Sequence, residues 1–284
     1  MKMFKEAVLQ GRNHGRRFSI DMRWHIDKRP KPIIVFLHGF KGFKDWGTFP
    51  LIAEILSDAG FVVIKVNFSH NGVTPNDPVD FTDLGAFAEN RFSYELDDVR
   101  DVIDFIHSSS FRVPAIEINT DRIHLVGHSR GGATAIIYAA DDDRIHSVCG
   151  WAAVCNLEDR WPQEALEKWK AAGVTFVPNA RTGQEMPLKY DLVEDYLEHQ
   201  ERLNVRQRLQ EMNKPIMLIH GTEDETVPLE DTLKATESMT HVDLKIIEGA
   251  NHVFGGGHPY DETELPVHSR ELISETINFL RNND

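Results

Sequence analysis

The chain has 284 residues, and its 31 lysines and arginines stand against 45 aspartates and glutamates, so the formal net charge at pH 7 is −14. This acidity argues against a nucleic-acid-binding protein, because phosphate backbones bind basic surfaces. Hydrophobic residues make up 41 % of the sequence, and two residues are cysteines. Such a composition is typical of a globular protein with a large core, and it excludes a disulfide framework or a cysteine-based zinc cluster.

Export and membrane signals are missing from the sequence. The first 18 residues carry charges, but they lack the apolar stretch and the small-residue cleavage site of a signal peptide. The sequence also lacks a run of about 18 apolar residues, the length that a membrane-spanning helix needs. We therefore expect a cytoplasmic protein with no membrane partner.

The predicted elements alternate short β-branched runs with longer helical patterns, as in βαβ units around a parallel sheet. Residues 4–9 and 17–26 predict an antiparallel pair joined by a turn at 13–15. Further strands are predicted at 33–37, 61–66, 123–126, 145–154, 216–219 and 244–247. Helices are predicted at 50–58, 94–107 and 266–280. Another helix follows the strand at 123–126 and its glycine-rich turn, and it ends at residue 140. This pattern predicts the α/β fold class, with one domain over residues 1–284.

Two segments depart from the alternation. Residues 69–90 are rich in Asn, Gly, Pro and Asp, which predicts a long surface loop. Residues 156–212 contain no convincing strand pattern and lie between two predicted strands of the sheet, so we interpret them as an insertion. The aromatic residues of this insertion are Trp161, Trp169, Phe176, Tyr190 and Tyr196.

Residues 127–131, with the sequence GHSRG, match the pattern G-x-S-x-G. Three fixed positions would match by chance in about one chain of this length in ten, so the local context matters more than the match. Here an apolar strand precedes the motif and a helix of small residues follows it. A sharp strand-to-helix turn exposes the serine hydroxyl at a helix N-terminus, where the dipole favours developing negative charge. Ser129 is therefore the predicted nucleophile.

A serine hydroxyl needs a general base to react near neutral pH, and the base needs a group that orients it. Asp224 follows the predicted strand at 216–219, and His252 follows the strand at 244–247. Because the carboxyl ends of parallel strands meet at one edge of the sheet, we expect both side chains near Ser129. The chain order Ser, Asp, His is that of the α/β-hydrolases.

Other residues compete for the roles of base and acid. His241 precedes its strand and so lies at the wrong end of the sheet, whereas His258 and His268 lie farther into the following loop or at the last helix. Glu223 and Glu225 flank Asp224 and are interpreted as solvated loop charges. We assign the base to His252 and the acid to Asp224.

An oxyanion hole requires two backbone N–H groups aimed at the developing negative charge. Arg130, directly after the nucleophile, supplies one of them in the predicted arrangement. The other is expected from Phe40, because Gly39 allows the loop after the 33–37 strand to turn its amide inward. The alternative for His38-Gly39 is a plain turn between strand and helix.

The chain resembles the α/β-hydrolase superfamily over about residues 30–282. The matching segments, in family order, are His38-Gly39-Phe40, Gly127-His128-Ser129-Arg130-Gly131-Gly132, His220-Gly221-x-x-Asp224-x-x-Val227-Pro228 and Gly249-Ala250-Asn251-His252. Within the superfamily it is similar to bacterial carboxylesterases of the cinnamoyl/feruloyl kind and to serine-aminopeptidase-like hydrolases. Dienelactone hydrolases are similar in outline, but they have a cysteine at the position of Ser129.

The resemblance implies that residues 156–212 form a helical cap over the active site, with aromatic side chains as candidates for an acyl pocket. The alternative is a stabilising excursion without substrate contact. Metal-binding spacings such as H-E-x-x-H and nucleotide-binding glycine motifs are missing from the sequence, so we predict no metal and no cofactor. The expected partner is a small-molecule acyl substrate.

Three functions remain open at the level of sequence. The first is a serine carboxylesterase for short-chain or aromatic acyl esters, with thioesters and lactones as related chemistry. The second is an aminopeptidase-type serine peptidase, which would need a carboxylate to hold a free amino terminus, and the insertion is rich in acids. The third, a non-catalytic binding module, has no need of the complete set of motifs.

Overall fold

The computed structural model describes residues 1–158 and 161–283. The strands in chain order are β1 (Lys2–Gln10), β2 (Arg17–His25), β3 (Lys31–Leu37), β4 (Val62–Val66), β5 (Ile118–His128), β6 (Ile145–Trp151), β7 (Val174–Asn179), β8 (Gln184–Lys189), β9 (Ile216–Gly221) and β10 (Val242–Ile247). The helices are α1 (Phe49–Asp58), α2 (Leu84–Ala88), α3 (Phe92–Ile106), α4 (Arg130–Asp141), α5 (Gln163–Ala172), α6 (Asp191–Glu198), α7 (Val205–Glu211), α8 (Leu229–Thr236) and α9 (Val267–Asn282). No helix in this part of the chain is long and apolar enough to cross a membrane.

The central sheet has the strand order β1-β2-β4-β3-β5-β6-β9-β10. Strands β4, β3, β5, β6, β9 and β10 are parallel, whereas β1 and β2 form an antiparallel pair at one edge. The predicted α/β fold class is therefore confirmed. Because the six parallel strands point the same way, the loops that follow them meet at one edge of the sheet.

Helices cover both faces of the sheet, and strand β3 shows how its sequence divides between them. Ile34 and Phe36 pack with buried residues of α1 and α9, whereas Ile33, Val35 and Leu37 pack with residues of α3 and α4. Successive side chains of a strand point to opposite faces, so a run of apolar residues is needed where both faces are covered.

The prediction that residues 156–212 contain no strand was wrong. Strands β7 and β8 form an antiparallel hairpin in which Val174 pairs with Lys189 and Asn179 with Gln184. Each strand contains a proline, Pro178 in β7 and Pro187 in β8, which cannot donate a ladder hydrogen bond. These prolines hide the strand pattern, and they are tolerated because the hairpin has only two strands.

The segment 69–90 is also less exposed than predicted. Residues 69–73 are buried, and α2 forms near the end of the segment with Asp83 accepting a hydrogen bond from the Ala86 amide at 2.9 Å. Its polar residues find partners inside the protein: the Ser69 amide donates to Asp98 at 2.7 Å. Polar composition therefore predicted exposure where internal hydrogen bonds allow burial.

A buried cluster of ion pairs ties the loop after β3 to the sheet. Lys44 Nζ lies 2.8 Å from Asp21 Oδ2, and Lys65 Nζ lies 3.4 Å from the same oxygen. Asp45 pairs with both lysines, and the Lys44 amide donates to Asn67 at 2.6 Å. The loop that carries Phe40 is thus anchored to β2 and β4 by charges that water does not screen.

We expect Asp21→Asn to destabilise the fold by about 3–5 kcal/mol, because it removes the fully buried member of the two carboxylates that Lys44 and Lys65 share. Urea denaturation followed by circular dichroism measures the change. The matched control is Asp58→Asn, whose carboxylate pairs with Lys2 and His25 at the surface, where ion pairs contribute little. Equal losses in the two variants would contradict the structural role of the buried cluster.

Candidate active site

Ser129 lies in the sharp turn between β5 and α4, with φ +57° and ψ −122°. The chain on both sides fixes this unusual backbone: the Ser129 amide donates to Trp151 O at 2.8 Å, and its carbonyl accepts from the Val154 amide at 3.1 Å. A Cβ atom at Gly127 would lie 2.2 Å from the Gly131 carbonyl oxygen, so only glycine fits there. The turn therefore has the strained strand-to-helix geometry that the sequence predicts.

Three predicted site residues lie in a hydrogen-bonded chain. His252 Nε2 is 3.0 Å from Ser129 Oγ, and His252 Nδ1 is 2.8 Å from Asp224 Oδ2. Since Nδ1 donates a hydrogen bond to the buried Asp224 carboxylate, Nε2 is the acceptor for the serine hydroxyl. The amides of Thr226 and Val227 donate to Asp224 Oδ1 at 2.9 and 2.8 Å and fix the carboxylate.

The competing residues lie elsewhere. Glu223 and Glu225 are exposed, whereas the Asp224 side chain is fully buried. His241 is 2.8 Å from Leu209 O, and His258 accepts a hydrogen bond from the Gly47 amide at 2.9 Å. His268 belongs to the first turn of α9.

His220, a residue to which sequence analysis gave no role, also contacts Asp224. Its Nε2 atom is 2.8 Å from Val227 O and 3.2 Å from Asp224 Oδ2, while Nδ1 is 2.9 Å from Thr232 Oγ1. Burial raises the pKa of the Asp224 carboxyl, but hydrogen bonds from His220 and His252 outweigh it and hold that pKa well below its usual range. The acid therefore stays ionised beside His252.

His128, inside the serine motif, supports His252 from the other side. Its Nε2 atom is 2.8 Å from the carbonyl oxygen of His252, and the two ring centroids are 4.8 Å apart. Burial and the neighbouring His252 lower the pKa of His128 to about 3, so the ring is neutral and donates its single proton to that carbonyl. The motif pattern gives no signal for this role, because the position is variable in G-x-S-x-G.

The loop of the predicted oxyanion hole lies against the serine. A Cβ atom at Gly39 would be 2.9 Å from Ser129 Cβ, so the close approach requires glycine. Within residues 1–158 and 161–283, the amides of Phe40 and Arg130 donate to no protein acceptor, which leaves both available. His38 braces the loop: its Nδ1 donates to Gly39 O at 2.8 Å, and burial lowers its pKa to about 4. The donor roles of Phe40 and Arg130 stay predictions.

The insertion borders this loop and the start of α3. Lys41 Nζ donates to Pro178 O at 3.0 Å, which joins the loop to β7. Trp161 and Tyr196 pack their rings about Phe92, with centroids 6.1 and 6.2 Å away. Phe92 in turn lies 4.3 Å from the guanidinium of Arg130. Phe176, by contrast, is 57 % exposed.

The sequence profile of the alpha/beta hydrolase family matches residues 34–264. The chain belongs to the alpha/beta hydrolase family. The resemblance that the motifs indicate is therefore confirmed at the level of the family. No curated protein matches this hydrolase in sequence.

Solved structures share the fold of this hydrolase. Est1E from Butyrivibrio proteoclasticus is 16 % identical with a TM-score of 0.68, covering 97 % of this chain and 98 % of its own. The same protein with bound ferulic acid is also 16 % identical, with a TM-score of 0.63 and coverages of 99 % and 95 %. A putative dipeptidyl aminopeptidase IV from Bacteroides ovatus is 13 % identical with a TM-score of 0.67, and the hydrolase covers 36 % of it while matching over its own full length. At these identities the likeness concerns the fold.

The low pKa of Asp224 predicts how stability depends on pH. A carboxylate whose pKa is lowered by folding stabilises the folded state above the unfolded pKa of about 4, and this contribution is lost as the pH falls. We expect Asp224→Asn to be less stable than the wild type at pH 7, with a difference that narrows below about pH 4. Urea midpoints at pH 7, 5, 4 and 3 measure it, with Glu223→Gln as the exposed control. A constant difference over this range would contradict the prediction.

Proposed function

We propose that this hydrolase cleaves carboxylic esters through an acyl-enzyme on Ser129. The observation that carries the proposal is the hydrogen-bonded chain from Ser129 Oγ through His252 to Asp224. The catalytic residues in this proposal are Ser129, His252 and Asp224. Formation and hydrolysis of the acyl-enzyme in this proposal use these three residues and require no metal or cofactor.

In the acylation step, Ser129 Oγ attacks the ester carbonyl carbon while its proton passes to His252 Nε2. The carbonyl oxygen becomes an oxyanion that accepts hydrogen bonds from the amides of Phe40 and Arg130. When the intermediate collapses, the bond to the alcohol oxygen breaks and that oxygen takes the proton from His252. Asp224 stabilises the imidazolium and holds its orientation without taking the proton. Water then repeats the sequence on the acyl-enzyme, releasing the acid.

The contacts of the insertion support an esterase over an aminopeptidase. A free amino terminus needs an available carboxylate, but Asp191 pairs with Arg91 at 2.6 Å. Asp195 accepts from the Ser93 amide at 3.0 Å, and Glu158 accepts from Tyr196 at 3.0 Å. These acids already have partners within the protein, so a substrate ammonium would have to compete for them.

The preferred substrates in this proposal are esters of short-chain or aromatic acids. The ring of Phe40, next to the glycine that touches Ser129, lies 5.4 Å from the ring of Phe87 and supplies an apolar surface. Residues 156–212 act as a cap that limits water during acyl transfer. The contacts of Lys41 with Pro178 and of Phe92 with Trp161 support this role, because they connect the insertion to the loop of Phe40 and to the start of α3.

Ser129→Ala is expected to abolish ester hydrolysis while leaving the fold intact. Loss of the nucleophile or the base lowers kcat by about 10⁶ in comparable triads, and Asp224→Asn should cost about 10⁴. Because the three residues act as one unit, combining Ser129→Ala with His252→Ala should add little to either loss. Release of p-nitrophenol from p-nitrophenyl acetate measures kcat, and Ser108→Ala at an exposed turn is the control. Near wild-type kcat in purified Ser129→Ala would refute the assigned nucleophile.

The distinction between esterase and aminopeptidase can be measured directly. We expect higher kcat/KM for p-nitrophenyl esters than for alanyl and leucyl p-nitroanilides, with little effect when the anilides are N-acetylated. Neighbouring acyl lengths should differ modestly, since one methylene discriminates by about 1–3 kcal/mol. A strong preference for the free-amino anilides that disappears on acetylation would favour the peptidase instead.

A further inference from the structure

Two cationic side chains lie where the insertion meets the loop of Phe40, and neither has an acidic partner in the described part of the chain. Lys41 follows Phe40 in the loop after β3, and Arg181 lies at the tip of the β7–β8 hairpin. Neither forms an ion pair with any residue in the ranges 1–158 and 161–283. We propose that Lys41 and Arg181 bind an anionic group of the substrate, so that the enzyme acts on esters that carry a carboxylate or phosphate. This inference rests on the proposed ester hydrolysis.

The strained backbone at Lys41 indicates that a lysine side chain is needed at this position. Its φ is +56°, a left-handed conformation that strains any residue with a Cβ atom and suits glycine better. The side chain is half-buried, and within the described residues its ammonium donates to the Pro178 carbonyl alone. A partly desolvated ammonium is normally matched by an anion. Burial also lowers the pKa of Lys41, which an anion would counteract.

Arg181 approaches the same loop from the insertion. Its guanidinium lies 5.6 Å from the ring centroids of both Phe43 and Phe81. Stacking on two aromatic rings directs the arginine over the loop of Phe40 without neutralising its charge. Acids also lie in these surroundings, because burial and Arg181 lower the pKa of the nearby His258 whereas Asp80 and Asp261 raise it. Among the described residues, neither acid forms an ion pair with Arg181.

Three neighbouring cations, by contrast, are paired with acids. Arg130 is buried between Phe40 and Phe92 but lies 3.0 Å from Glu95. In the insertion, Lys168 pairs with Glu164 at 2.6 Å and Lys189 with Glu89 at 2.8 Å. Lys41 and Arg181 are brought together by the hairpin, because Lys41 binds the carbonyl of Pro178, three residues before Arg181. In a chain of net charge −14, two cations without acidic partners at this contact would favour an anion there.

The test compares each anionic ester with a neutral ester of similar shape. The acyl arm uses mono-p-nitrophenyl adipate against p-nitrophenyl methyl adipate, and the alcohol arm uses 4-acetoxybenzoate against its methyl ester. We expect kcat/KM to be at least about tenfold higher for the anionic ester in one arm, chiefly through KM, and to fall with added salt. The arm that shows the preference locates the anion on the acyl or the alcohol side.

Variants test the two residues separately. Lys41→Gln and Arg181→Gln should each bring the anionic-to-neutral ratio of kcat/KM towards one, whereas Lys168→Gln, an equal loss of charge elsewhere in the insertion, should keep it. If both arms favour the neutral ester or show no preference, the inference is overturned while ester hydrolysis stands. A ratio unchanged in both variants overturns it too, and would assign Lys41 a structural role as a link to Pro178. Failure to hydrolyse any of the four esters would overturn the proposed function and this inference together.

Discussion

The candidate site depends on the left-handed backbone of a single residue, Ser129. A serine has no intrinsic preference for this conformation, so the surrounding structure must impose it. The hydrogen bonds of its amide to Trp151 and of its carbonyl to Val154 do so, because both partners belong to β6 or to the chain that follows it. The pairing of two buried parallel strands therefore holds the hydroxyl towards His252, and α4 can begin directly afterwards.

Four histidines surround the site, and their hydrogen bonds distinguish the supporting rings from the one that contacts the serine. His38 and His128 are neutral because burial lowers their pKa values, and each donates its proton to a backbone carbonyl. His220 bonds to the acid instead of the base. His252 alone among them contacts Ser129 Oγ within the described chain, and its side chain is 15 % exposed, so it can meet both serine and substrate.

The site residues could be predicted because each follows a strand whose apolar run is visible in the sequence. Ser129, Asp224 and His252 meet simply because parallel strands end at one edge. The roles of His220 and His128 could not be predicted, since they depend on side-chain hydrogen bonds between distant loops. The β7–β8 hairpin was not predicted for another reason. Pro178 and Pro187 are unfavourable in a central strand, but an isolated two-stranded ribbon tolerates them.

The buried carboxylate of Asp21 shows that residues before the family profile support the candidate site. The family profile begins at residue 34, yet Asp21 lies in β2 and neutralises Lys44 and Lys65, which hold the loop of Phe40. A chain shortened to the profile boundaries would keep every proposed catalytic residue and still place two lysines in the interior without this counter-ion. The antiparallel edge pair β1–β2 thus helps to hold the loop of Phe40 in place. A fusion or truncation that disturbs this pair would therefore displace the loop, although the pair lies far from Asp224 and His252 in the sequence.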